Sequence, residues 1–218
     1  MKQTNKAVGF TLVEMIIVIA IILVLSAGVF GTSYLFKDQA AFKLNYERVL
    51  SLLHDARNMA LSSQSYPDTN DYDKDGLFYE PDGDIILPNG YIVHFDLTGD
   101  KPVVGLYADL FDSVINELDP ANDRLIKQYE LDENIVITPE GFTQANNPAV
   151  LPNAGENFSV IYTTPDASFF VLEMSGKTTL QCKISQTGRD GNEARSKYIF
   201  MQYLFGTPEL MDTPYISS

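Results

Sequence analysis

Residues 10 to 36 read FTLVEMIIVIAIILVLSAGVFGTSYLF, twenty-seven positions with a single charge, Glu14. About 20 apolar residues cross the hydrocarbon of a bilayer as a helix, so the run is long enough to span. The nine residues before it, MKQTNKAVG, hold two lysines and no acid. Lysines ahead of the run and none within it place the N-terminus in the cytoplasm. The sequence therefore predicts one apolar N-terminal helix held in the cytoplasmic membrane, with the rest of the chain outside.

Three readings of this segment compete. A secretory signal peptide would be cut near Leu25-Ser26-Ala27, but leucine is a poor fit at the outer small position. A plain signal anchor is the second. Neither explains a carboxylate four residues inside an apolar run. An ionised side chain at the bilayer centre costs about 2.5–3.5 kcal/mol on insertion scales, which makes such a residue a functional candidate. Glu14 lies near the cytoplasmic end, where the cost is smaller but real.

The third reading accounts for it. Gly9-Phe10-Thr11-Leu12-Val13-Glu14, followed by Met15-Ile16-Ile17-Val18-Ile19-Ala20-Ile21-Ile22, resembles the prepilin signature of type IV pilins and pseudopilins. The resemblance implies cleavage after Gly9 by a dedicated prepilin peptidase and methylation of the new N-terminal Phe10. It also implies that Glu14, fifth in the mature chain, pairs with the N-terminal amine of an adjacent subunit. A carboxylate stranded in hydrocarbon gains most from an ammonium partner. Many pilins have a proline about 22 residues into the mature helix; here that position is Gly31, with Gly28 just before it. Glycine costs about 1 kcal/mol relative to alanine inside a helix. Gly28 to Ser33 is thus the expected place for the helix to bend or melt on filament packing.

Beyond Lys37 the pattern turns amphipathic. Phe42, Tyr46, Val49, Leu53, Ala56 and Ala60 step by three or four and share one helical face. One helix is predicted over residues 10–63, with 10–36 its membrane or filament-core half, residues 1–9 a leader and 64–218 a globular head. From Ile85 onward β-branched and aromatic runs alternate with turn signals. Strands are predicted at Tyr91–Leu97, Val103–Ala108, Leu125–Leu131, Ile135–Thr138, Phe158–Thr163, Ser168–Met174, Thr178–Ser185 and Tyr198–Phe205. The fold class is α+β, a long helix packed against an antiparallel β-sheet head. This order is also similar to the H-type pseudopilins of type II secretion and related minor pilins. The resemblance rests on Ala56-Arg57-Asn58-Met59-Ala60 late in the helix and on Gln186-Thr187-Gly188-Arg189 near the end.

Formal net charge is −14. Loss of the leader removes Lys2 and Lys6 and leaves 13 basic against 29 acidic residues, a balance of −16. Such a surface repels nucleic acid and favours cations. The lone Cys182 excludes an internal disulfide, although the head leaves the cytoplasm. Asp71-Tyr72-Asp73-Lys74-Asp75-Gly76-Leu77-Phe78-Tyr79-Glu80-Pro81-Asp82 has acids at positions 1, 3 and 5, glycine at 6 and a carboxylate at 12. That is the spacing of an EF-hand calcium loop. Asp71, Asp73, Asp75 and Asp82 would ligate Ca2+ through side chains and Leu77 through its carbonyl. Against this, position 12 is Asp rather than Glu, and Pro81 and Pro88 break any following helix. A solvated acidic turn is the alternative.

No nucleotide-binding glycine motif occurs, and His54 and His94 lack ligand-spaced partners. Cys182 reads as a small packed residue, and no enzyme is expected. One basic cluster, Lys183, Arg189, Arg195 and Lys197, nets +2 against Asp190 and Glu193. It could bind phosphate in a DNA-uptake minor pilin; a solvated hairpin is the plainer reading. The leading expectation is a structural subunit of a type IV pilus or type II secretion-like filament. A DNA-binding minor pilin and a membrane-anchored calcium-binding adhesin that never polymerises are the alternatives. The partners expected are other pilin subunits, the prepilin peptidase and the membrane. The subunit is expected to wait in the cytoplasmic membrane and to end in a cell-surface or periplasmic filament.

Overall fold

A computed structural model describes residues 11–67, 85–110, 118, 123–143, 157–171, 178–188, 191–201 and 207–214. The chain divides into two compact units, Met1–Ala41 and Phe42–Ser218. Helix α1, Leu12–Ser62, contributes to both and is helical through Gly28 to Ser33.

In the first unit, every large apolar side chain from Leu12 to Leu25 is between 47% and 75% exposed. A helix that is apolar all round is stable only when something apolar covers it. Among the described residues no helix is long and apolar enough to cross a membrane. Within the run 10–36 the side chains described are residues 11–27 and 36, seventeen consecutive positions against the about 20 that a span takes.

The second unit begins at Phe42. Phe42, Tyr46, Val49, Leu53, Ala56 and Ala60, the whole predicted stripe, are buried, and Leu52 joins them. They pack in one core with the inner faces of two antiparallel sheets. The five-stranded sheet has the order β5-β4-β3-β7-β8, with β3 at Gly90–Asp96, β4 at Val103–Asp109, β5 at Arg124–Glu130, β7 at Phe158–Thr163 and β8 at Phe169–Val171. Alternate residues Tyr91, Val93 and Phe95 of β3 and Phe158, Val160 and Tyr162 of β7 fill the core, as a period of two requires. The four-stranded sheet has the order β11-β10-β9-β6, with β6 at Ile135–Thr143, β9 at Thr178–Thr187, β10 at Glu193–Met201 and β11 at Pro208–Met211. The buried Tyr162 hydroxyl of β7 donates to Met201 Sδ of β10 at 3.3 Å, tying the sheets together. A short pair, β1 at Tyr66–Pro67 and β2 at Ile85–Ile86, follows the helix. The architecture is α+β, with the second half of a long helix packed on an antiparallel β head.

The boundaries depart from the sequence expectation where polar residues hide a strand. β10 starts at Glu193 rather than Tyr198, because Glu193 and Arg195 register with Thr187 and Gln186 of β9 across a bulge. β6 continues past Thr138 through Pro139 to Thr143. Proline is tolerated there because β6 is an edge strand. β11, β1 and β2 are too short to show a period.

Candidate functional site at the start of the helix

Thr11 is the last residue before the helix, and Glu14 lies in its first turn. The Thr11 amide donates to Glu14 Oε2 at 2.8 Å and the Thr11 hydroxyl donates to the same oxygen at 2.9 Å. In return the Glu14 amide donates to Thr11 Oγ1 at 3.3 Å. This is a capping box, in which Thr and the Glu three residues on satisfy each other's orphan amides. The helix dipole adds to it, since a carboxylate is favoured at a helix N-terminus. The box explains how Glu14 is tolerated in so apolar a segment. The T-x-x-E spacing announced it in the sequence, and reading Glu14 only as an intermolecular partner passed over it.

Gly9 and Phe10 lie outside the described residues, directly upstream of this cap. Ser26 Oγ donates back to the Ile22 carbonyl at 2.7 Å, one turn earlier. Such back-bonding bends helices slightly and sits just before the Gly28–Ser33 stretch.

The other sequence candidates are not brought to this site. Asp71, Asp73, Asp75, Leu77 and Asp82, the proposed calcium ligands, lie outside the described residues. Among the described residues no group of three His, Cys, Asp or Glu side chains could hold a metal. In the basic cluster, Lys183 pairs with Glu193 and Lys197 with Asp212. Each pairing holds its titrating partner toward the charged form: the Lys183 contact lowers the Glu193 pKa, and the Asp212 contact raises that of Lys197. Arg195 donates to Gln186 Oε1 at 3.2 Å, and Arg189 lies outside the described residues. Both described lysines of the cluster are therefore already matched by carboxylates.

His94 sits on β3 with Nδ1 2.8 Å from Ser159 Oγ on β7, a cross-strand pair. His54 is half-buried on the helix, and Cys182 is fully buried in the core. Among the described residues neither histidine belongs to a group of three His, Cys, Asp or Glu side chains that could hold a metal.

A family model described as the prokaryotic N-terminal methylation motif matches residues 6–30. No curated protein and no solved structure matches the chain. The matched residues contain Gly9, Phe10 and the Thr11–Glu14 cap and run into the all-apolar helix. The motif implies assembly with other pilin subunits and processing by a prepilin peptidase, and it suggests a structural protein rather than an enzyme. That motif, set at the head of an α+β chain with a long N-terminal helix, supports a type IV pilin or pseudopilin, and over residues 6–30 the chain is similar to such proteins.

Proposed function

We propose that the protein is a structural subunit of a type IV pilus or type II secretion-like filament. The observation that carries this reading is the methylation motif over residues 6–30, which contains a helical stretch, Leu12 to Leu25, whose large apolar side chains are all exposed. The precursor sits in the cytoplasmic membrane with residues 1–9 in the cytoplasm, and residues 10–36 form its single span. Cleavage after Gly9 and methylation of Phe10 prepare it for assembly, in which the apolar helices cover one another and Glu14 meets a neighbour's terminal ammonium. A DNA-binding minor pilin is the weaker reading, because the lysines of its basic cluster are held by Glu193 and Asp212.

Mass spectrometry of the protein recovered from cells tests the central step. The mature chain is expected to begin with methylated Phe10, and an intact Met1 would overturn the reading.

The loop Asp71 to Asp82 is proposed as a calcium site of the head, on its spacing alone. Extracellular modules work with dissociation constants of about 0.1–1 mM. Millimolar calcium is therefore expected to raise the thermal midpoint of the full chain, and Asp71→Asn with Asp73→Asn to abolish the rise. An unchanged midpoint at several millimolar would sink this site.

A further inference from the structure

Each described lysine from Lys43 onward sits against a carboxylate, Lys127 against Asp55 at 3.1 Å and Lys101 against Glu130 among them. Arg48 of helix α1 does not. Its guanidinium lies 5.3 Å from the centroid of the Tyr129 ring and donates one long bond, 3.4 Å, to the Glu130 carbonyl. The Glu130 carboxylate is taken by Lys101 and that of the neighbouring Glu47 by Lys43, so among the described residues no acid answers Arg48. The same ring carries a second cation, Lys127 Nζ at 5.2 Å, but Asp55 offsets that charge. A guanidinium stays charged and holds five donors in a planar fork. Stacked on Tyr129, this fork has little freedom left to lose on meeting a partner. One turn earlier on the same helical face, Leu44 is 49% exposed.

Arginine and tyrosine carry much of the contact energy at protein interfaces, and a leucine in water gains from being covered. The charge of the chain says what would cover them. With 29 acidic against 15 basic residues, two copies repel, and they can touch only where a cation stands ready for an acid. Exposed carboxylates such as Asp100 and Glu209 stand in no ion pair among the described residues, so a second copy has acids to offer. We infer that Leu44 and Arg48, backed by Tyr129, form a docking surface for a second copy of this chain, with Arg48 receiving one of that copy's exposed carboxylates. The inference names a contact between subunits and so rests on the filament reading above.

The test places the photo-cross-linker p-benzoylphenylalanine at position 44 of the full-length chain in cells. Illumination is expected to give an adduct of two copies, identified by its mass. Arg48→Glu in the same chain is expected to lower the yield at least about tenfold, the scale of losing one partner of a hydrogen-bonded charge pair at an interface. Arg48→Gln removes the charge but can still reach the Glu130 carbonyl, and it is expected to lose adduct while its thermal midpoint stays within about 2 °C of wild type. Arg48→Lys keeps the charge and should retain more adduct than Arg48→Gln. Unchanged yield in Arg48→Gln would overturn the inference, as would an adduct with a different protein or with lipid, or no adduct at all. A midpoint that fell together with the yield in Arg48→Gln would assign Arg48 a role inside the head and also overturn it. In each of these cases a mature chain beginning at methylated Phe10 leaves the filament reading standing. An intact Met1 would overturn that reading, and this inference with it.

Discussion

The Gln64 amide donates to the Met59 carbonyl at 3.4 Å, closing the end of helix α1, while Ser63 between them stands at φ 47°. Ser63 also donates its amide to the Ala60 carbonyl at 3.3 Å, so the two bonds form a Schellman cap. The Tyr91 hydroxyl then donates to the Gln64 carbonyl at 2.9 Å, pinning the cap to β3. The turn into the head is therefore set by bonds around a residue in a left-handed conformation.

A serine there is strained where glycine would not be, because its Cβ crowds the following carbonyl. Ser63→Gly relieves that strain but gives the unfolded chain more freedom to lose. The expected balance is a stabilisation of about 0.5–1 kcal/mol, or a rise in Tm of about 1–4 °C for a domain of this size. Thermal unfolding of the detergent-solubilised chain checks it. A lower midpoint would mean that Ser63 is not left-handed in the folded protein.

His94 gives a pH dependence. Burial holds its pKa below the ordinary value of 6.5, and the nearby Asp96 carboxylate offsets this only in part. The unfolded chain therefore takes up a proton at about pH 6.5 while the folded one does not, so stability rises with pH through this range. The contribution is complete above about 6.5 and is lost as pH falls toward the lower folded value. His94→Asn is expected to flatten the difference curve between pH 7 and 5. Parallel curves for the two proteins would show that His94 titrates alike in both states.

Gly105 of β4 is opposite His94 and Gln128, and the ring of Tyr107 lies across it. A Cβ at Gly105 would meet Tyr107 Cε2 at 2.6 Å, so the ring must move if any other residue stands there. Gly105→Ala is expected to destabilise by about 1–3 kcal/mol, the usual cost of overpacking. In a Tyr107→Ser background the same change should be close to neutral. The coupling between the two, measured as a double-mutant cycle in thermal unfolding, should be at least 0.5 kcal/mol in size. Additivity would place the ring elsewhere.

The β9–β10 surface should not retain DNA. Its described lysines are committed to Glu193 and Asp212, on a protein with 29 acids against 15 basic residues. Retention on a DNA column at about 50 mM salt, where phosphate contacts are strongest, should match that of an Arg195→Ala variant. Retention that falls with salt and with that substitution would restore the DNA-uptake reading.

What could be read from the sequence followed the strength of each period. Six helical positions from Phe42 to Ala60 repeat cleanly and all are buried. β3, β4 and β7 alternate apolar residues around good turn signals and fall within one to two residues of expectation. The start of β10 carried no such signal, since Glu193, Arg195 and Lys197 form a strand through cross-strand pairing that only the folded chain supplies. At the site, Gly9, Phe10 and Glu14 were legible because the motif is local and contiguous. The Thr11–Glu14 cap was equally local but was masked by the stronger question of why a carboxylate stands in an apolar run.

Leu53 and Leu44 separate packing from mere apolar character on the same helix. Leu53 is fully buried among the inner residues of both sheets, whereas Leu44, nine positions earlier, is 49% exposed. Truncating Leu53 to Ala removes buried methyl groups and leaves a cavity, at an expected cost of about 2–5 kcal/mol. Leu44→Ala should stay within about 0.5 kcal/mol of wild type, as surface substitutions do. Chemical denaturation of the two variants measures the difference. If both cost the same, the helical face that packs on the sheets is not the one containing Phe42, Val49 and Leu53, and the register of the helix on its head is wrong.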